Sequence, residues 1–171
     1  MAGDKFLYNN AGIVTEKASN QTSAGAGDAG KVVALNASGD VDISMMPPGV
    51  GAEVTVCPAV EDLVAGDWVN MYLNVAALNA RKADANNSRP CNGFVLANVT
   101  APADATVYHI SNTNNQCAGL TIGTLYYLSD SAGEETDTAP TGAGTILQRL
   151  GIATAADTIV FDNATYIVLA A

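Results

Sequence analysis

From residue 53 onward the chain alternates short apolar runs with clusters of turn residues. EVTVCPAV (53–60), DWVNMYLNVA (67–76), NGFVLANVT (92–100), ATVYHIS (105–111), TLYYLS (124–129), TILQRLGIAT (145–154), TIVFDN (158–163) and TYIVLAA (165–171) are built largely from Val, Ile, Leu, Tyr and Thr. Between them stand AGD, NNSRP, APAD and SAGEE. Branched and aromatic side chains suit a pleated, half-buried surface, and Gly, Pro, Asn and Asp supply the reversals. Gly, Asn, Asp and Thr break nearly every window before an amphipathic helix could complete a few turns. The pattern predicts an all-β domain over 53–171, a compact β-sandwich, jelly-roll-like or barrel fold.

Alternation also assigns faces. In TLYYLS, Leu125 and Tyr127 point to one side while Tyr126 and Leu128 point to the other, so both faces are apolar or aromatic. Such a strand sits between two layers or against another subunit. In TILQRLGIA, Gln148 and Arg149 interrupt the apolar run, which predicts a face that meets water or a polar partner.

Residues 1–52 follow another pattern. KFLYNNAGIVTEKA predicts an extended strand or a hairpin around 9–12, and SNQTSAGAGDAG predicts a flexible connector. KVVALNASGDVDISMMPPGVG predicts a short strand, an Asx or Gly turn at 36–40, a second short segment and a Pro-Pro stop. These pieces cannot bury a core alone, so they are expected to form an extended arm lying along something else.

Composition narrows the choice of partner. Of 171 residues, 17 are acidic and 7 basic, giving a net charge of −10. The long-range field therefore repels polyphosphates and anionic lipid, and direct binding of nucleic acid or membrane is not expected. No apolar run is long enough for a membrane-spanning helix, and MAGDKFLYNN lacks the basic-then-apolar order of a secretion signal. These features predict a chain made in a cytoplasm. Cys57, Cys91 and Cys117 form no CxxC pair and have one histidine in the chain to assist them, so buried or incidental thiols are expected rather than a zinc site or disulfide framework.

Candidate chemistry is sparse. GAGDAGKV (25–32) matches phosphate-loop spacing, but Val32 stands where a magnesium-binding hydroxyl is required and no apolar strand precedes it. His109 lies mid-strand with no neighbouring acid or cysteine. DSAGEETD (130–137) lacks the oxygen spacing of a calcium loop and predicts a solvated hairpin tip. NTNNQ (112–116) offers amides compatible with sugar recognition, or forms a polar loop. No cofactor motif and no catalytic constellation emerge, so the chain reads as non-enzymatic. Arg81, Lys82, Arg89 and Arg149 are candidates for ion pairs with a neighbouring subunit or a host surface. Trp68 is a candidate core or interface anchor.

Three stretches in order resemble one family. KVVALNASGDVDISMMPPGVG (31–51) is similar to the corresponding segment of bacteriophage capsid decoration, or cement, proteins and of related modules in phage fibres. VAGDWVNMY, ARKADA and NGFVLANV resemble the middle of those proteins, and GLTIGTLYYLSD, TAPTGAG and LQRLGIATAADTIVFD resemble their end. The resemblance implies a homotrimer on the outer surface of a tailed-phage capsid that bridges neighbouring major capsid proteins, without catalysis or cofactor. It makes Lys31, Val33, Met45, Met46 and Pro47 candidate contacts with the shell or a neighbouring subunit. Trp68, Arg81, Lys82, Tyr126, Leu128 and Arg149 join them. The alternative is a receptor- or glycan-binding module of a head or tail fibre.

Overall fold

The computed structural model describes residues 5–46, 51–162 and 164–170. The chain divides into two compact units, Met1–Gly51 and Ala52–Ala171. Among the described residues the structure is nearly all β, and the helical elements are two short 3-10 turns, Ala26–Asp28 and Ile43–Met45.

In the first unit, β1 (Lys5–Asn10) and β2 (Ile13–Ala18) form an antiparallel hairpin. Its turn sits at Ala11 and Gly12, both at positive φ, and the Asn9 side chain accepts a hydrogen bond from the Gly12 amide at 2.7 Å. The segment read as a flexible connector is locally organised. Asn20 bridges to Val33, Gln21 Nε2 donates to the Leu35 carbonyl and the Ser23 amide donates to Ser44 Oγ. The turn at 36–40 is an Asx turn in which Asn36 Oδ1 accepts from the Ser38 and Asp40 amides.

The second unit carries the core. One five-stranded sheet contains β3 (Val54–Pro58), β4 (Trp68–Asn74), β5 (Ala77–Lys82), β6 (Gly93–Phe94) and β7 (Asp104–Tyr108), in the order β3-β7-β6-β4-β5. A parallel bridge from Ala59 to Ala80 draws its two edges together, so the sheet curls toward a small barrel. Its inner face is filled by Cys57, Ala59, Leu63, Val69, Ala80, Val95, Ala105 and Val107. Mostly small side chains suit so tight a curl.

The second sheet contains β8 (Thr113–Asn114), β9 (Leu125–Leu128), β10 (Glu135–Thr136), β12 (Arg149–Ala155) and β13 (Thr158–Phe161), in the order β10-β9-β12-β13-β8. A small pair, β11 (Ile146–Leu147) with β14 (Ile167–Val168), completes the unit. The larger core joins the sheets: Trp68 and Phe94 from the first meet Tyr126, Leu128, Leu150, Ile159 and Phe161 from the second. Trp68 and Phe161 rings lie 5.3 Å apart and Phe94 and Phe161 6.2 Å apart, edge-on or tilted as aromatic quadrupoles prefer. Two facing sheets with a shared aromatic core make a β-sandwich-like domain.

The predicted runs map onto these strands with three differences. The run 145–154 is two strands, β11 and β12, parted at Gln148. Strand β5 arises from ALNARK, whose Ala, Asn and Lys have weak strand preference, because six residue pairs register it against β4. The Asn-rich and acidic segments contribute the two-residue strands β8 and β10.

Candidate interaction surfaces

Several residues expected at a contact lie in the core instead. Trp68 and Leu128 are fully buried and Tyr126 nearly so. Their faces of β4 and β9 point between the two sheets, so they are not available to a shell or subunit. Trp68 Nε1 donates to Glu135 Oε2 at 2.7 Å, and Tyr126 Oη accepts from the Thr121 amide at 2.9 Å, which satisfies their polar ends. The outward face of β9, Leu125 and Tyr127, is half-buried. Gln148 is also buried rather than facing water, and its amide bonds to the backbone of Cys91.

The basic residues separate into paired and unpaired groups. Lys31 pairs with Asp28 at 2.6 Å and Lys82 with Asp67 at 2.9 Å. Arg149 pairs with Asp162, and Arg89 approaches Glu61 at 3.7 Å. Arg81, adjacent to Lys82 in sequence, lies on the other face of β5. Its guanidinium stacks 3.9 Å from the Tyr72 ring centre, and Nε donates to Asn70 Oδ1 at 2.9 Å. Alternation along the strand sends neighbours to different partners.

The sites considered for chemistry are occupied internally. In the phosphate-loop-like segment, Asp28 takes the Lys31 ammonium and the Ala24 amide, and the lysine holds its carboxyl below the usual range. His109 Nε2 meets Thr55 Oγ1 at 2.8 Å and Nδ1 meets the Asn92 carbonyl at 3.2 Å, so both ring nitrogens are engaged. Asn112 Nδ2 donates to the Glu53 and His109 carbonyls, and buried Asn114 donates to the Gly66 carbonyl. Burial pushes the Cys91 thiol up to about 12, and burial together with Glu135 and Asp157 raises Cys117. Among the described residues no three His, Cys, Asp or Glu side chains converge in a manner that could hold a metal ion.

What the surface offers is apolar. In the described part of the first unit no residue is buried. Leu7, Ile13, Val14 and Ile43 are each about two-thirds or more exposed, at 73%, 68%, 67% and 66%. Both faces of the β1–β2 hairpin carry such residues, with Leu7 and Val14 on one and Tyr8 and Ile13 on the other. Val33 and Met46 are exposed and Met45 is half-buried, while Pro47 lies outside the described residues. In the second unit, the β4–β5 hairpin carries exposed Leu73, Val75 and Leu78.

Comparison with models of known protein families finds no match, and comparison with curated proteins finds none.

Proposed function

We propose that the protein is a non-enzymatic virion component, a trimeric decoration protein that binds the outside of a tailed-phage capsid and holds neighbouring major capsid proteins together. The observation that supports this reading is the first unit: an ordered hairpin and loops that leave every described residue at least partly exposed, with an apolar residue on each face. A two-stranded hairpin is marginal by itself, so a surface outside the unit must supply the missing burial. An exposed hairpin edge can also extend a strand of another protein.

The mechanism is linkage. A protein that binds the assembled shell and not its free subunits stabilises the assembled state, and copies joined around a threefold axis reinforce one another. The low charged fraction, 14%, suits a chain whose surface is partly covered in its working state. The alternative, a glycan-binding fibre module, would use the Asn-rich loop at 112–116 and exposed tyrosines, and within that loop the Asn112 and Asn114 amides donate to backbone carbonyls.

The test is particle stability. Heads assembled without the protein are expected to release DNA at lower temperature than heads carrying it, and adding purified protein back restores the higher value. The protein's copy number should match the threefold positions of the shell. Heads of unchanged thermal and osmotic stability would rule out the cementing role.

A further inference from the structure

The β4–β5 hairpin breaks a local rule. Its connection is Val75-Ala76, where a two-residue turn ordinarily takes Asn-Gly or Asp-Gly. Val75 has φ 59° and is 99% exposed. A β-branched residue in the left-handed region is a backbone outlier, and at that exposure the described residues bury almost none of its side chain. Leu73 and Leu78, directly opposed in the register, are 74% and 43% exposed. The hairpin thus presents an apolar tip and an apolar face.

Its other face presents a fixed cation. Arg81 is stacked on Tyr72 and bonded through Nε to Asn70, which is itself anchored by donating to the Pro90 carbonyl at 2.7 Å. Among the described residues no carboxylate pairs with Arg81 and no hydrogen bond uses its terminal nitrogens, whereas Lys82, next to it, has Asp67. A guanidinium already ordered in this way binds a carboxylate with little further loss of freedom.

The same unit holds a matching concavity. A groove of about 390 Å³ is lined by Val95, Leu96, Val99 and Tyr108, with Asp104 at its wall. Asp104 is exposed and has no ion pair among the described residues. The register places groove and hairpin apart. Trp68 pairs with Phe94 and Phe94 with Tyr108; from that row, β4 runs toward Val75 while residues 95–99 and 104–106 run the opposite way. Trp68 to Val75 spans about 23 Å at the rise of a strand, so the hairpin cannot fill the groove of its own chain.

We propose that the β4–β5 hairpin of one copy docks in the Asp104 groove of a second copy, with Arg81 paired to Asp104 across the contact. This deepens the trimer component of the proposed function and rests on it. The occupant is a second copy because hairpin and groove each expose apolar side chains and carry opposite charges that have no ion pair among the described residues. The net charge of −10 also makes an unpaired cation on this hairpin a marked local exception. A contact between two unlike patches at opposite ends of a sheet is heterologous, the kind that closes into a ring when the rotation between copies permits.

The test is sedimentation of the full-length chain. The wild type should be a trimer. Arg81→Glu and Asp104→Arg should each raise the dissociation constant about tenfold or more, and the double variant should recover most of the loss because the charges are exchanged. Val75→Asn, which suits a positive φ, should weaken association while leaving the urea midpoint of the dissociated chain unchanged or higher. It keeps the proposal testable if either charge variant fails to fold. A wild-type trimer indifferent to folded variants overturns the docking alone. A wild-type monomer overturns docking and trimer together. Heads that lose binding of Val75→Asn trimers would assign the hairpin to the shell and also overturn the docking.

Discussion

Gln148 grips the backbone of Cys91 in both directions: Oε1 accepts from the Cys91 amide at 2.7 Å and Nε2 donates to the Cys91 carbonyl at 2.9 Å. The side chain acts as a short piece of strand, pairing a loop to the point where β11 gives way to β12. Gln148→Leu keeps the volume but leaves a buried amide and carbonyl without those partners, at a cost of about 1–3 kcal/mol for each unpaired group. Gln148→Glu supplies an acceptor but no donor and should also destabilise. Urea unfolding followed by Trp68 fluorescence measures both, and an unchanged midpoint for Gln148→Leu would show that water replaces the side chain.

Gly93 is set by close approach of strands. A Cβ there would overlap the Tyr108 carbonyl oxygen and stand 2.6 Å from Val107 Cγ1, inside the paired region of β6 and β7. Gly123, at φ 82°, has open space around its missing Cβ. Gly123→Ala should therefore cost about 1–2 kcal/mol from backbone conformation alone. Gly93→Ala should cost more, because the strands must part. Comparing the two melting temperatures separates steric from conformational effects.

The two faces of β9 should respond to different degrees. Leu128→Ala removes a fully buried side chain and should cost about 2–5 kcal/mol. Tyr127→Ser changes a half-buried residue on the outward face and should cost less. Leu128→Asp should abolish the fold, since a carboxylate there would have no partner in an apolar core. Circular dichroism and thermal melting report each result, and a folded Leu128→Asp protein would contradict the core placement.

How far these features were legible depends on where their partners lie. The all-β character was written in short apolar runs and turn clusters, because alternation and turn chemistry are local. Strand β5 was not, since ALNARK becomes a strand through its register with β4 and its turn, Val75-Ala76, lacks the usual residues. Gln148 reads as meeting water or a polar partner, and the choice between them was hidden because the partner, Cys91, is distant in sequence. Tyr126 and Leu128 were marked by alternation as one face, but which face of β9 meets the other sheet is decided by Trp68, Phe94 and Phe161. Arg81 and Lys82 looked alike as neighbouring charges, and only the strand sends one to Tyr72 and the other to Asp67.

Stability should fall at alkaline pH through Cys91. Its thiol is pushed up to about 12 by burial, above the ordinary value of 9.0. Below pH 9 both folded and unfolded states keep this proton, so the thiol adds no pH dependence. Between 9 and 12 the unfolded chain releases it while the folded chain does not, and unfolding gains about 1.4 kcal/mol per pH unit from this group. Cys91→Ala should flatten the decline in that window relative to wild type, which isolates the thiol from the lysines and tyrosines that also titrate there. Equal slopes for the two proteins would show that the Cys91 thiol ionises alike in the folded and unfolded states.

Removing residues 1–51 should separate folding from binding. Both hydrophobic cores consist of residues from the second unit, whereas the described part of the first unit buries none. The shortened chain should therefore keep its cooperative melt, with a midpoint near that of the full chain. It should bind heads more weakly, because the exposed Leu7, Ile13, Val14 and Ile43 are gone. Replacing Leu7 and Ile13 together by Ser in the full chain should weaken head binding in the same direction with little effect on the melt, since those side chains bury little area within the chain itself. Head-binding isotherms and calorimetry provide the two readouts. Full binding by the shortened chain would move the shell contact to the second unit, and loss of its cooperative melt would show that the first unit supports the core it does not join.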